Sequence, residues 1–106
     1  MSELLSLTDA VDTAFFKALA EPTRIDVLSV LMRAGGEASM GRIAEGVSVD
    51  PSVVSRHLRE LARVGVVTVE RRGRERWYRL DADTVAERLQ RVLAWVEAAR
   101  QGRPCC

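Results

Sequence analysis

The 106-residue sequence has no long apolar run, one histidine, one lysine and two cysteines, which are its last two residues. No segment approaches the roughly 20 apolar residues needed to cross a bilayer. The first residues, MSELLSLTD, carry an acid where a secretory signal needs positive charge. We therefore expect a cytoplasmic protein of one domain, in which a structural disulfide between Cys105 and Cys106 is not expected.

The single histidine argues against an enzyme. A serine nucleophile needs a base within hydrogen-bond reach and a third group that orients that base. Ser55 and His57 are two residues apart on a predicted helix, so they point in different directions, and no second histidine exists. For His57 we expect a hydrogen bond to neighbouring backbone near the buried edge of its helix, with a phosphate contact as the alternative.

The net charge of +1 conceals an uneven distribution along the chain. Residues 51–80 hold eight arginines against three acids, a net charge of +5, whereas residues 1–50 hold four basic residues against eight acids, a net charge of −4. Guanidinium groups suit phosphate and guanine edges. A genome rich in G and C would also favour arginine over lysine, so composition leaves both explanations open.

Apolar residues at helical spacing predict four helices before residue 66. The first begins at Thr8, and the second begins at Pro22, where a missing N–H costs nothing. The fourth has Asp50 as its N-cap, Pro51 as its first residue and Gly65 at its end. The residues predicted to face inward are Val11, Ala14, Phe15, Ala18 and Leu19 in the first helix, Ile25, Leu28, Leu31 and Met32 in the second, Met40, Ile43, Ala44 and Val47 in the third, and Val54, Leu58 and Leu61 in the fourth.

The pattern then changes to β-branched and aromatic residues on both sides of RRGRE, which predicts a β-hairpin from about Val66 to Leu80. A last helix is predicted from about Asp83 to Arg100. The order of these elements predicts a mainly α fold with a small β-hairpin, a winged helix-turn-helix. We expect residues 1–100 to form a DNA-binding and dimerisation domain and residues 101–106 to form a flexible tail that carries the cysteine pair.

The last helix carries an apolar seam of coiled-coil type. One domain offers too little surface to cover this seam, so we expect the fold to be dimeric. The residues predicted at the dimer interface are Val11, Phe15, Val85, Leu89, Val92 and Val96.

The outward face of the fourth helix and the tip of the hairpin are the predicted contacts with double-stranded DNA. A recognition helix reads base edges with its first residues, and arginines near a hairpin tip reach the minor groove or its phosphates. The predicted DNA-binding residues are Ser52, Val53, Ser55, Arg56, Arg59, Arg63, Arg71, Arg72 and Arg74. Arg56 is the candidate for base readout. The alternatives are a merely solvated helix face, arginines paired with Glu70 and Glu75, and a protein-interaction module that binds no DNA.

Three segments together, FKALAEPTRIDVLSVL at 16–31, VVSRHLRELARVGVV at 53–67 and RRGRERWYRL at 71–80, resemble the ArsR/SmtB family of bacterial winged-helix repressors. The resemblance covers almost everything from Phe15 to Val96. It implies a homodimer built from the first and last helices, an operator with two-fold character, and repression that ends when an effector binds.

The effector sites familiar in this family are not matched. The third helix, SMGRIAEG, has no cysteine, and the last helix has no histidine with which to bind zinc. The adjacent thiols of Cys105 and Cys106 favour a soft ion. Because some repressors of this family have arsenic-binding cysteines near the carboxyl terminus, the resemblance implies a trivalent arsenical, arsenite or methylarsenite, or another thiophilic metal, as the effector, with no obligatory cofactor. Oxidation or persulfidation of these thiols is an alternative, and so is an incidental cysteine pair.

Overall fold

A computed structural model describes residues 11–103, so the predicted helix start at Thr8 and the two cysteines lie outside the described residues. Five helices and three strands follow one another within residues 11–103. They are α1 (Thr13–Leu19), α2 (Pro22–Arg33), β1 (Glu37–Ser39), α3 (Met40–Glu45), α4 (Pro51–Arg63), β2 (Val67–Arg72), β3 (Glu75–Leu80) and α5 (Ala82–Arg100). In the described part of the chain, no helix has both the length and the apolarity that a membrane span requires.

The ends of α4 follow the predicted cap signals. The Asp50 side chain accepts a hydrogen bond from the backbone N–H of Ser52 at 2.8 Å, and Pro51 opens the helix. At the other end, Gly65 has a positive φ of 87°, and the N–H of Val66 donates to the carbonyl of Leu61 at 2.9 Å. This left-handed glycine turn satisfies the last carbonyls of α4 and directs the chain into β2.

The core lies between α2, α3, α4 and the sheet, and it confirms most of the predicted inward positions. Val54, Leu58 and Leu61 of α4 are fully buried. Three predictions are wrong, because Ala14, Ile25 and Met32 are exposed. Apolar residues occur on more than one side of α2, and periodicity alone does not show which side meets the core. The side that α2 buries carries Val27, Val30 and Leu31.

The sheet has the strand order β1-β3-β2, and both pairings are antiparallel. The predicted hairpin is confirmed to within one residue. β1 was not predicted, since three residues with the sequence EAS carry no strand signal of their own. They become a strand because Ala38 pairs with Tyr78 of β3, and both side chains are buried.

α5 is the last element in the described part of a molecule that is elongated, with dimensions of 51 × 25 × 20 Å. Its second turn is joined to α1 by an ion pair of 2.9 Å between Arg88 and Asp12, the N-cap of α1. Leu89, Leu93 and Val96 leave 46%, 52% and 38% of their surface exposed. An apolar stripe of this kind remains uncovered within a single chain.

Phe15, which was placed at the dimer interface on sequence grounds, is fully buried inside its own chain. Its ring packs edge-on against Phe16 with the ring centroids 5.0 Å apart. No part of its side chain is left to contact a partner, so its assignment to that interface is corrected. The reason is that α1 turns the side that carries Phe15 and Ala18 into the core.

The helix-turn-helix requires a small residue at Gly46, where α3 ends against α2. A Cβ atom at Gly46 would lie 2.9 Å from both methyl groups of Val30. Gly46→Ala should therefore lower the free energy of unfolding by about 1–3 kcal/mol through overpacking. Urea denaturation checks this. In a Val30→Ala background the same substitution should lower the free energy of unfolding clearly less. Equal decreases in the two backgrounds would show that the approach of the new Cβ atom to Val30 is not the cause.

Candidate nucleic-acid interface

Burial of one side of α4 turns a stripe of polar residues outward. Residues advance by about 100° around an α-helix, so the side opposite the buried one carries Ser52, Arg56, Arg59 and Arg63. All four are exposed. Val53 and Ser55 lie on the flanks of this stripe and are half-buried. The structure thus brings the predicted residues of α4 to one surface, with three arginines along its centre.

Ser52 is partly committed to the start of α4. Its hydroxyl donates to Asp50 Oδ1 at 2.7 Å, and its backbone N–H donates to the same oxygen. These two bonds lower the pKa of Asp50 below the ordinary value of an aspartate. The hydroxyl proton of Ser52 is therefore not available for a phosphate oxygen while the cap is formed, although the oxygen can still accept a hydrogen bond.

The arginines of α4 differ in their partners. Arg63 donates to both carboxylate oxygens of Glu60, one turn earlier, and this contact lowers the pKa of Glu60. Within residues 11–103, no carboxylate pairs with Arg56 or Arg59. These two guanidinium groups are ready to bind an anion, whereas an anion at Arg63 would compete with Glu60.

The hairpin places two arginines directly opposite each other. Arg71 of β2 pairs in register with Arg76 of β3, and both side chains are exposed. Strand alternation puts them on the sheet face of Tyr78, beyond the edge of the core. Opposed like charges destabilise a sheet, because the Cβ atoms of such a pair are only about 5 Å apart. The pair forms a concentrated positive site that an anion would stabilise, and sequence reasoning had left Arg76 out of the predicted set.

Arg72 and Arg74 point to different surroundings. Arg74 occupies the two-residue turn with Gly73 at the tip of the hairpin and is exposed. Arg72 lies flat on the outer sheet face, its guanidinium carbon 4.4 Å from the ring centroid of Trp77. It also donates to Glu37 and, at 3.2 Å, to Glu70. Arg72 therefore holds the outer face together, and an anion could bind it only by displacing carboxylates.

His57 lies on the inner flank of α4, with 12% of its side chain exposed. Its predicted position near the buried edge is confirmed. Its partner is a side chain, not the expected backbone: Arg24 of α2 donates from Nε to His57 Nδ1 at 3.1 Å. The described residues include no cluster of three or more histidine, cysteine, aspartate or glutamate residues that could hold a metal ion.

Comparison with known proteins gives consistent matches. Residues 19–70 match the family described as Helix-turn-helix domain. The matched residues include both helices of the helix-turn-helix and the start of the hairpin. A curated relative, the transcriptional repressor SmtB homolog of Synechocystis, is 38% identical over 93 residues. The match covers 87% of this chain and 68% of the relative.

Solved structures of similar fold include two regulators. The antimony-specific transcriptional repressor AntR is 29% identical with a TM-score of 0.66, and the match covers 95% of this chain and 90% of AntR. A homodimeric winged helix-turn-helix DNA-binding domain from Mycobacterium bovis, described as a possible ArsR-family transcriptional regulator, is 28% identical with a TM-score of 0.64. That match covers 90% of this chain and 83% of the domain.

Replacing one of the opposed arginines of the hairpin should change stability and DNA affinity in opposite directions. Arg71→Thr removes the like-charge pair and introduces a residue that favours strands, so the free energy of unfolding should rise by about 0.2–1 kcal/mol. The same change should weaken binding to duplex DNA. Thermal unfolding and fluorescence anisotropy measure the two effects. Thr68→Val, also on β2 but at the base of the hairpin, is the control that should leave DNA affinity unchanged. A variant that is less stable and binds equally well would contradict this assignment.

Proposed function

The chain belongs to the ArsR/SmtB family of winged helix-turn-helix transcriptional repressors, and from this premise we propose that it represses as a homodimer released from its operator by a thiophilic effector. The observation that carries the DNA contact is the arginine stripe of α4. Arg56 and Arg59 lie opposite the buried side of the helix, where a major groove would receive them. Arg56, nearer the start of the helix, is proposed to read a guanine.

The hairpin is proposed to extend this contact to the adjacent minor groove. Arg74 at the tip and the opposed pair Arg71 and Arg76 supply the charge there. Arg63 and Arg72 are secondary candidates, because each already pairs with a carboxylate. Ser52, Val53 and Ser55 are proposed to fit against the groove between the arginines.

The exposed face of α5 supports the homodimer. A helix of 19 residues is about 28 Å long, and burying Leu89, Leu93 and Val96 against a second copy would remove its largest exposed apolar groups from water. Val11, Val85 and Val92 are half-buried and are proposed to complete the edge of the interface. A two-fold axis at α5 would present two recognition helices about 34 Å apart, one turn of duplex.

The effector proposal rests on Cys105 and Cys106, the only two thiols of the chain. Adjacent thiolates bind soft ions in preference to hard ones, and the tail follows α5 directly. The proposed effector is a trivalent arsenical, arsenite or methylarsenite, or another thiophilic metal. Methylarsenite needs two thiolates and suits this pair, whereas arsenite would take its third from the partner subunit or a small thiol. A preference of about 1–3 kcal/mol for the non-binding dimer would change DNA affinity by about 5- to 150-fold.

DNA binding is tested by fluorescence anisotropy with the DNA that lies upstream of the protein's own coding sequence. Arg56→Ala should lower affinity by about 5- to 150-fold, since an arginine–guanine contact contributes about 1–3 kcal/mol. Arg100→Ala, which removes the same charge at the far end of α5, should have little effect. Affinity should also fall steeply with salt through counterion release. A protein that is monomeric in the absence of DNA would contradict the proposal. So would a DNA affinity that depends neither on Arg56 nor on salt concentration.

The effector proposal is tested by replacing both cysteines. Cys105→Ser with Cys106→Ser should leave DNA affinity intact and abolish release by methylarsenite, arsenite, cadmium and mercury in the same titration. The unaltered protein should be released by at least one of these ions at concentrations comparable to that of the protein. Because the double variant has no thiol at all, release that persists in it would exclude the tail as the sensor.

A further inference from the structure

A partly buried polar contact joins three helices behind the proposed DNA-binding surface. Arg24, in the first turn of α2, donates from Nη1 to the carbonyl of Ala18 at 3.2 Å and from Nε to His57 Nδ1 at 3.1 Å. Continuation of α1 would supply the carbonyl of Ala18 with the N–H of residue 22. That residue is Pro22, which has no N–H. The Arg24 side chain therefore satisfies a carbonyl that the backbone leaves without a donor.

The same contact makes His57 Nδ1 a hydrogen-bond acceptor. An arginine Nε–H only donates and does not lose its proton at ordinary pH, so His57 Nδ1 must present its lone pair. The imidazole is then neutral and carries its proton on Nε2. That nitrogen lies 3.9 Å from Glu21 Oε1, too far for a hydrogen bond. A proton on Nδ1 would set two donors and two positive charges against each other.

We propose that Arg24 is a positioning residue for the DNA contact: it holds the recognition helix α4 in its binding orientation only while His57 is neutral. This inference rests on the proposed DNA binding. His57 follows Arg56 immediately on α4, so a shift of the imidazole away from Arg24 rotates or tilts the arginine stripe. The contact between Arg24 and His57 lies on the inner flank of α4, away from the proposed DNA contact.

The charged groups close to His57 lie on α2 and α4. Arg24 and Glu21 face it from the start of α2, and Glu60 lies one turn later on α4, bound to Arg63. Lys17 of α1 and Arg24 both act on Glu60 and lower its pKa. Glu21 attracts a protonated imidazole, so protonation would draw the ring toward Glu21 and away from Arg24.

This arrangement fixes the sign of the pH dependence. If the binding orientation requires a neutral His57, DNA binding releases a proton and affinity falls on acidification. A histidine that contacts a phosphate would do the opposite, because protonation would strengthen that contact. The two roles of His57 are thus distinguished by whether affinity falls or rises between about pH 8 and about pH 5.5, where histidine side chains generally titrate.

The first test replaces the donor. Arg24→Lys keeps the charge but lacks the planar fork that reaches both acceptors, and DNA affinity at about pH 8 should fall about tenfold. Arg33→Lys is the matched control on the same helix, since among the described residues Arg33 donates only to Ser29 of its own helix, at 2.9 Å. Circular dichroism verifies that both variants fold. An affinity of Arg24→Lys equal to that of the control would overturn the proposal.

The second test uses His57→Asn, whose side-chain oxygen can accept from Arg24 and does not titrate. The unaltered protein should lose about tenfold in affinity between about pH 8 and about pH 5.5, and the variant should bind within about threefold of it at the higher pH with a flat profile. Unchanged or tighter binding by the unaltered protein at low pH, or a variant that keeps the pH dependence, would overturn the proposal. This test decides the matter even if Arg24→Lys fails to fold.

A third measurement separates this inference from the proposed function. Nitrogen-15 NMR of the histidine ring in the free protein at about pH 8 should show a bare Nδ1 and a protonated Nε2. The reverse tautomer would overturn the inference without any DNA present. If the expected tautomer is found and the unaltered protein still binds no DNA at about pH 8, the proposed function fails and the positioning role fails with it.

Discussion

The burial of Val54, Leu58 and Leu61 is the constraint on which the proposed DNA-binding surface depends. These three side chains have no exposed surface, and the free energy gained by removing them from water fixes the rotation of α4 about its axis. The arginine stripe on the opposite side follows from that rotation. In a helix with the same arginines and a smaller apolar side, the rotation about the helix axis would not be fixed, and the arginines would have no defined orientation.

Polar contacts act together with the core packing to fix the position of α4. The Asp50 cap sets where α4 starts, and the contact of Arg24 with His57 ties its inner flank to α2 and, through the carbonyl of Ala18, to α1. On the hairpin, Arg72 is neutralised by carboxylates while Arg71 and Arg76 are left opposed. The positive charge of Arg72 is thus neutralised on the outer face of the sheet. Positive charge is concentrated at Arg71 and Arg76, where DNA is proposed to bind.

Comparison of prediction with structure shows which signals were reliable. The caps of α4, its buried residues and the hairpin were predicted because each depends on neighbours within a few positions. Ile25 and Met32 were misplaced because α2 has apolar residues on several sides, and β1 was missed because Ala38 becomes a strand residue only by pairing with Tyr78. Arg24 and His57 are 33 positions apart, so no local pattern connects them.

The sequence by itself determined the order of the helices and hairpin, the apolar side of α4 and the run of arginines between residues 51 and 80, since periodicity, capping and charge are properties of adjacent residues. Only the tertiary structure decided which arginines keep a carboxylate partner, that Phe15 belongs to the core, and that Arg24 donates a hydrogen bond to His57. These depend on groups brought together from distant parts of the chain, and their geometry exists only once α1, α2 and α4 have packed.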